Sequence, residues 1–363
     1  MRVLIVKTSS MGDIVHTLPA VTELLKNIPE ATIDWVVEEA FVDIPEAHPK
    51  INKIIPLALR RWRKKLFHKN TWAEIYNFLN NLRAVKYDYI IDAQGLLKSA
   101  MISRLAKLDS ANNKAGIYGL DKFSSRGKHI SWLYQKKINI PTNQHAVLRV
   151  KQLFAAIFNY KLDNKTNYGL EKSSSPESIK IIKIIKSAKP YLVFLHCTTW
   201  ESKKWPTQFW QDLITKALAA GYNIKLNSGN PKELEQAKLI ASKFPKYIGS
   251  AVEIMPAQTI KNLINIISAS DGVVCVDTGL GHLAAALNKP GVGIYGSTSV
   301  SLTSILSKSF INLASEYRCS PCLLKQCNLL DANNIYPPCY IELSPDVVWQ
   351  KLELQLAQTA TAQ

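Results

Sequence analysis

The sequence predicts an α/β protein built in two halves, each a parallel sheet wrapped by helices. Short β-branched apolar runs of strand length alternate along the chain with longer stretches of helical spacing. The alternation stops at 171–177, a helix-breaking segment with consecutive serines and Pro176, and then restarts. Several runs lead into polar, glycine-bearing turns, the place where an open α/β sheet offers its ligand contacts. A chain of 363 residues is long enough to bury a separate core in each half.

In the first half, residues 2–7 read as a strand, followed by the loop 8–13 (Thr-Ser-Ser-Met-Gly-Asp). Gly12 lets the backbone turn, and Asp13 stands at the entrance of a helix over 14–26 whose Leu18, Val21, Leu24 and Leu25 share one face. A carboxylate at that point suits a helix cap and equally suits a group facing a cleft. Strands over 32–37 and 51–57, a short helix over 42–47, a long helix over 71–85 and a strand over 87–92 continue the rhythm. The turn 93–99, with Gln94 and Gly95, opens another helix; 112–143 are less regular, and 146–158 return to helix.

The second half repeats the plan. A strand over 191–196 enters the loop 197–206, which carries Thr198, Thr199 and Lys203, and a helix over 207–220 follows. After a strand over 222–226, the turn 228–233 opens a helix over 234–242, and a strand at 247–249 precedes a helix over 260–268. The β-branched run 273–276 reads as a strand buried on both faces. It leads into Asp277-Thr278-Gly279-Leu280-Gly281-His282 and a helix over 280–287, so polar groups and helix N-terminal N–H groups stand together at a strand's carboxyl end, where an anion binds well. A strand over 291–295 and a final helix over 345–358 complete the chain.

Composition narrows the function. Lys+Arg number 45 against 28 Asp+Glu, a net charge of +17 that favours anionic partners without choosing among nucleic acid, phosphorylated small molecules and acidic membranes. The densest cluster, Arg60-Arg61-Trp62-Arg63-Lys64-Lys65, interleaves an aromatic ring with cations in a loop, which suits an anion or membrane contact. No nucleic-acid motif accompanies it, and a nucleic-acid partner is not expected. The Gly-x-x-x-x-Gly-Lys-Ser/Thr of phosphate loops and a clean post-strand Gly-x-Gly-x-x-Gly are both missing, which disfavours ATP hydrolysis and nicotinamide chemistry. No run approaches the roughly 18 apolar residues that span a bilayer, and the N-terminus lacks a signal-peptide plan, so cytoplasmic residence is the expectation. Cys197 and Cys275 fall in apparent buried strands. Cys319, Cys322, Cys327 and Cys339 cluster late, in a spacing that matches no common structural zinc pattern closely; reduced structural thiols are expected there ahead of a metal site.

Several motifs, in order, resemble the ADP-heptose transferases of glycosyltransferase family 9, which act in lipopolysaccharide core synthesis. They are residues 7–13 with His16-Thr17-Leu18-Pro19-Ala20, the Asp92-Ala93-Gln94-Gly95-Leu96 turn, His196-Cys197-Thr198-Thr199 with Lys203 and Trp205-Pro206, and residues 276–283. The resemblance implies a GT-B fold, two Rossmann-like α/β domains facing across a cleft, with an acceptor-binding domain over 1–170, a linker over 171–177, a donor-binding domain over 178–344 and a C-terminal helix and tail over 345–363. It implies inversion at the anomeric carbon, ADP-heptose as donor, no cofactor and no obligatory metal, with Asp13 as general base and Lys203 beside the leaving diphosphate. Donor contacts would come from Thr198, Thr199, Lys203, Glu233, Asp277, Thr278, Gly279 and His282. Acceptor contacts would come from Ser10, Gly12, Arg60, Arg61, Arg63, Lys64, Gln94 and Arg126. The implied acceptor is the Kdo of Kdo2-lipid A, reached by peripheral contact with the anionic cytoplasmic face of the inner membrane. The cysteine-bearing tail resembles a different branch of the family, so another acceptor stays open as the alternative.

Overall fold

The computed structural model describes residues 1–109, 111–125, 127, 129–170, 189–330 and 336–360, without the side chain of 360. The chain divides into two compact units, Met1–Ser173 and Ser174–Gln363. The linker expected over 171–177 lies outside the described residues.

The first unit contains β1 (Arg2–Val6), β2 (Thr32–Glu38), β3 (Lys53–Leu57), β4 (Lys86–Tyr87), β5 (Tyr89–Asp92), β6 (Lys107–Leu108), β7 (Gly116–Leu120) and β8 (Lys136–Ile138). Six of these strands form a parallel sheet in the order β3-β2-β1-β5-β7-β8, while β4 pairs with β6. β1 sits centrally with helices on both faces, which is why its apolar run does not alternate: Val3, Leu4, Ile5 and Val6 are all fully buried. The chain builds outward from β1 to β2 and β3, then returns to β5 on β1's other side. The gap between β1 and β5 is therefore the topological switch point, where connections leave in opposite directions and open a crevice at the carboxyl ends. The register places Val6 opposite Asp92, so the loops starting at Lys7 and Ala93 leave side by side.

The second unit repeats this order with β9 (Tyr191–Leu195), β10 (Asn223–Leu226), β11 (Val252–Ile254), β12 (Gly272–Val276), β13 (Gly291–Tyr295) and β14 (Phe310–Ala314), arranged β11-β10-β9-β12-β13-β14. Its switch point lies between β9 and β12, where Leu195 faces Cys275 across the ladder. Trp205 and Trp210 meet edge to face, centroids 5.0 Å apart, in the core below. The helix Pro345–Ala360 is part of that core: Val348 and Leu352 are fully buried in one cluster with Leu192 and Trp210.

Several expectations need correction. The helix read over 14–26 is two, Met11–Val15 and Leu18–Asn27, because Pro19 fits the first turn of a new helix better than the interior of an old one. The irregular stretch 112–143 contains β7, which carries two glycines, and β8, which carries two lysines, and the edge strand β14 was not anticipated although its Phe-Ile-Asn-Leu-Ala sequence is largely apolar. The strand expected at 247–249 is a turn, and pairing moves on to β11. The basic cluster begins as a helical turn, Leu59–Trp62, not as loop. Cys197 lies just beyond β9, half-buried, instead of within a strand.

Candidate active site

At the first switch point, Asp92 organises the turn that faces the β1 loop. Its fully buried carboxylate accepts hydrogen bonds from the backbone N–H of Gln94 (2.8 Å) and Gly95 (3.0 Å), the Ser99 hydroxyl (2.9 Å) and the Tyr134 hydroxyl (2.7 Å). Burial pushes this carboxyl up, and the four donors oppose that push. Gly95 holds φ +71°, a left-handed conformation glycine adopts without strain, and that turn delivers the Gln94 side chain inward. Gln94 Oε1 accepts from the backbone N–H of Thr8 (3.0 Å) and Ser9 (3.1 Å), fixing the β1 loop against the β5 turn.

Asp13 enters the same place from the helix Met11–Val15. Its Oδ2 accepts from the Ser10 backbone N–H (3.0 Å) and hydroxyl (2.9 Å), while Oδ1 stands 4.0 Å from Lys7 Nζ. Lys7, buried, donates to Ala93 O (2.9 Å), and Lys98 donates to the Ser9 hydroxyl (3.0 Å). A cavity of about 50 Å³ opens here, lined in part by Lys7, Asp13, His16, Gln94 and Arg149. Asp13 thus serves as the helix-entry acceptor and also faces a cavity, the two roles the sequence left open.

Of the anticipated acceptor residues, Ser10, Gly12 and Gln94 gather with Asp13. Arg60 is exposed, its guanidinium 5.5 Å over the Phe41 ring, and its charge helps hold the Lys98 ammonium below its ordinary range, after burial as the main cause. Arg61 is turned elsewhere, bonding Glu39 through Nε and Nη2 and Glu74 through Nη1. Arg63 and Lys64 are exposed, and Arg126 lies outside the described residues. Lys7, His16, Lys98 and Arg149 were not anticipated as site residues. Three of them sit within or beside the quoted motifs, where a cation or imidazole close to the candidate carboxylate Asp13 was the available signal.

At the second switch point, Lys203 Nζ pairs with Asp277 Oδ2 at 2.7 Å and lies 4.5 Å over the Trp200 ring. Asp277 Oδ2 also accepts from the Thr298 hydroxyl (2.8 Å), and Thr198 Oγ1 donates to Asp277 O (3.2 Å), tying the loops after β9, β12 and β13 together. Thr278 occupies the cap position of the helix Gly279–Ala286, whose first N–H groups therefore point to the Lys203–Asp277 pair's side of the sheet. Thr199 is exposed, whereas His282 is buried within that helix. Glu233 accepts from the Gly229 N–H (2.7 Å) and stands close to Cys197, whose thiol is pushed up first by burial and then by that carboxylate.

The cysteine-bearing tail braces this site. Ser320 donates to Gly296 O (2.6 Å), Leu323 N–H to Ser297 O (2.8 Å), and Lys325 O accepts from Ser202 N–H (3.2 Å) immediately before Lys203. Tyr340 donates to Ser202 O (3.0 Å) and the Trp205 indole to Leu343 O (2.9 Å). The cysteines are free thiols; Cys339 is pushed up to about 12 by burial, then by Cys319, Cys327 and Cys322. Among the described residues, no group of three or more His, Cys, Asp or Glu side chains is placed to hold a metal ion.

Two doubly wound units with polar loops gathered at each switch point are those of the GT-B class of sugar-transferring enzymes. The profile of glycosyltransferase family 9 (heptosyltransferase) matches residues 75–332. Lipopolysaccharide heptosyltransferase 1 of Pseudomonas aeruginosa is 37% identical over 371 residues, covering 99% of both chains. The solved Escherichia coli heptosyltransferase WaaC with ADP superposes with a TM-score of 0.80 at 36% identity, over 98% of this chain and 100% of that one. Lipopolysaccharide heptosyltransferase 2 of Escherichia coli K12 matches at 23% identity over 99% of both. The chain belongs to glycosyltransferase family 9 and is a glycosyltransferase.

Proposed function

We propose that the protein is an inverting heptosyltransferase that moves L-glycero-D-manno-heptose from ADP-heptose to the Kdo of Kdo2-lipid A, in lipopolysaccharide inner-core synthesis at the cytoplasmic face of the inner membrane. The observation that carries this reading is Asp13, a carboxylate held by Ser10 at a cavity in the first switch point. The much higher identity to the heptosyltransferase 1 relative than to heptosyltransferase 2 favours this acceptor. No helix among the described residues is long and apolar enough to cross a membrane, so contact with the acceptor's bilayer is peripheral in this scheme.

In the proposed reaction, Asp13 takes the proton of the acceptor hydroxyl as its oxygen attacks the heptose anomeric carbon. The bond from that carbon to the diphosphate breaks, the configuration inverts and ADP departs. Lys203, Thr198, Thr199, Thr278 and the N–H of Gly279 meet the charge that grows on the diphosphate. Glu233 receives the ribose hydroxyls, Asp277 the heptose hydroxyls, and His282 orients the turn from within its helix. Ser10, Gly12 and Gln94 shape the acceptor cavity, and Arg60, Arg63, Lys64 and Arg126 meet Kdo carboxylates and lipid phosphates, while Arg61 stays paired with Glu39 and Glu74. No cofactor enters this scheme.

The test is ADP release from ADP-heptose in the presence of Kdo2-lipid A. Wild type should turn over, and Asp13→Ala should lose about 10²- to 10⁴-fold in kcat while still binding donor. A wild type that releases no ADP overturns the reading. The second reading, another acceptor within the family, rests on the cysteine-bearing tail and predicts turnover on an already heptosylated acceptor instead.

A further inference from the structure

Residues 59–83 hold seven Lys or Arg against a single acid, Glu74, whose carboxylate is already engaged by Arg61 and the Trp62 indole. Within this cationic stretch several large apolar side chains are exposed. Phe67 is 102% exposed, Trp72 61%, and Leu66 and Tyr76 are exposed as well. Trp72 and Tyr76 stand one helical turn apart on the helix Lys69–Leu82, on the side away from its buried Thr71, Phe78 and Leu82. The tip is a built feature: Trp72 Nε1 donates to Leu66 O (2.9 Å) and Thr71 Oγ1 to Lys65 O (2.8 Å), which pins the loop to the helix. The neighbouring helix Leu97–Leu105 shows a second exposed stripe, Leu97, Met101 and Leu105, and Arg83 Nε donates to Leu105 O at 2.8 Å to join the two.

Exposed aromatic and aliphatic side chains at this density mark an interaction surface. The core of a protein interface is depleted of lysine, and hot-spot aromatics there sit in well-packed pockets. Here Arg63, Lys64 and Lys65 on one side and Lys69 on the other flank an exposed Leu66-Phe67 tip, the pattern of a segment that lies in a lipid headgroup layer with its apolar side chains below and its cations among phosphates.

We propose that the Leu66-Phe67 tip, with Trp72, Tyr76 and the Leu97–Leu105 stripe, is an insertion surface that seats the first unit in an anionic lipid leaflet, so that attachment depends on apolar penetration as well as on charge. This deepens the peripheral membrane contact of the proposed function and rests on it for the acceptor's location, while the binding measurement below stands without it.

The protein is sedimented with vesicles of phosphatidylcholine alone and of phosphatidylcholine with phosphatidylglycerol, comparing wild type with Leu66→Ser/Phe67→Ser; melting curves verify that the variant folds. Wild type should partition onto the anionic vesicles and keep part of that binding in high salt, and the double variant should lose binding on the order of tenfold or more, with the remainder abolished by salt. The double variant should turn over a deacylated, water-soluble Kdo acceptor as wild type does, yet slow on acceptor embedded in vesicles. Equal binding of both proteins, or complete release of wild type by salt, overturns the proposal in favour of charge alone. Absence of wild-type binding to either vesicle overturns it outright, and slowed turnover on the soluble acceptor reassigns the tip to direct acceptor contact. Failure of wild type to turn over either acceptor counts against the proposed reaction and leaves the vesicle result to decide the surface.

Discussion

Lys7 Nζ stands 2.9 Å from Ala93 O and 4.0 Å from Asp13 Oδ1, so one buried ammonium joins both loops of the first switch point and neighbours the carboxylate assigned as base. Lysine here does two things at once: it closes the β1–β5 gap and keeps a cation beside Asp13. Lys7→Met keeps most of the stem volume and removes both. Turnover should fall roughly 10- to 100-fold with donor affinity unchanged, because Asp13 loses its placement and not its identity. Steady-state ADP release together with donor calorimetry checks the split; an equal loss of donor affinity would assign Lys7 to the donor instead.

Lys203 and Asp277 should separate in the opposite sense. Lys203→Ala removes the cation assigned to the leaving diphosphate and should cost about 10²- to 10³-fold in kcat. Asp277→Asn keeps an oxygen for the Thr298 hydroxyl and releases Lys203 from its 2.7 Å pairing, so its defect should fall on donor KM more than on kcat.

Asp92 offers a test of how far the site depends on a group that touches no substrate. Tyr134→Phe removes one of its four donors and should destabilise the fold by about 1–3 kcal/mol. Gly119→Ala should act similarly, by about 1–3 kcal/mol, because the added Cβ would lie 2.5 Å from the Tyr134 ring and push it away from Asp92. Urea midpoints read both.

Stability should fall in acid through two buried imidazoles. Burial, as the main cause, lowers His196 and His48 from 6.5 to about 4. Between those values the unfolded chain binds protons that the folded chain refuses, so their stabilising contribution is complete above about pH 6.5 and is lost as pH falls toward 4. For His196 this amounts to about 3 kcal/mol at most. A urea titration across that range should show the loss, and His48→Gln, which spares the Thr22 contact a ring nitrogen makes at 3.1 Å, should reduce it.

The thiols should differ in reactivity. Cys339, pushed up to about 12, and fully buried Cys275 hold few thiolates at pH 8, whereas Cys319 is exposed. Mass spectrometry of iodoacetamide-treated native protein should find Cys319 labelled first and Cys275 last.

The central strands and the loops they feed were legible because burial on both faces forces a continuous β-branched run and a ligand turn forces glycine and polar residues after it. Asp13, Lys203 and Asp277 stood out for that reason. The outer strands were not legible: β8 is three residues, two of them lysines, and nothing local separates it from loop. Nor could spacing reveal that Arg61 faces Glu39 and Glu74, or that the cysteine tail returns to brace Ser202, since both depend on partners far along the chain. The Lys7 ammonium was hidden for a related reason, because a lysine ending a strand reads as solvent-exposed until its partners are known.

The strand order of the two sheets is the same permutation written twice, and each crevice follows from the order in which strands are added, not from the side chains that line it. An inheritance consequence follows. Descendants of such a chain can rewrite the loops at either crevice without unseating the scaffold, so the preferences of the two crevices are free to drift separately. Within one family, divergence should concentrate in the exposed loop residues at each crevice, while the strands beneath and the buried groups that hold the turns, such as Asp92 and Tyr134, change slowly.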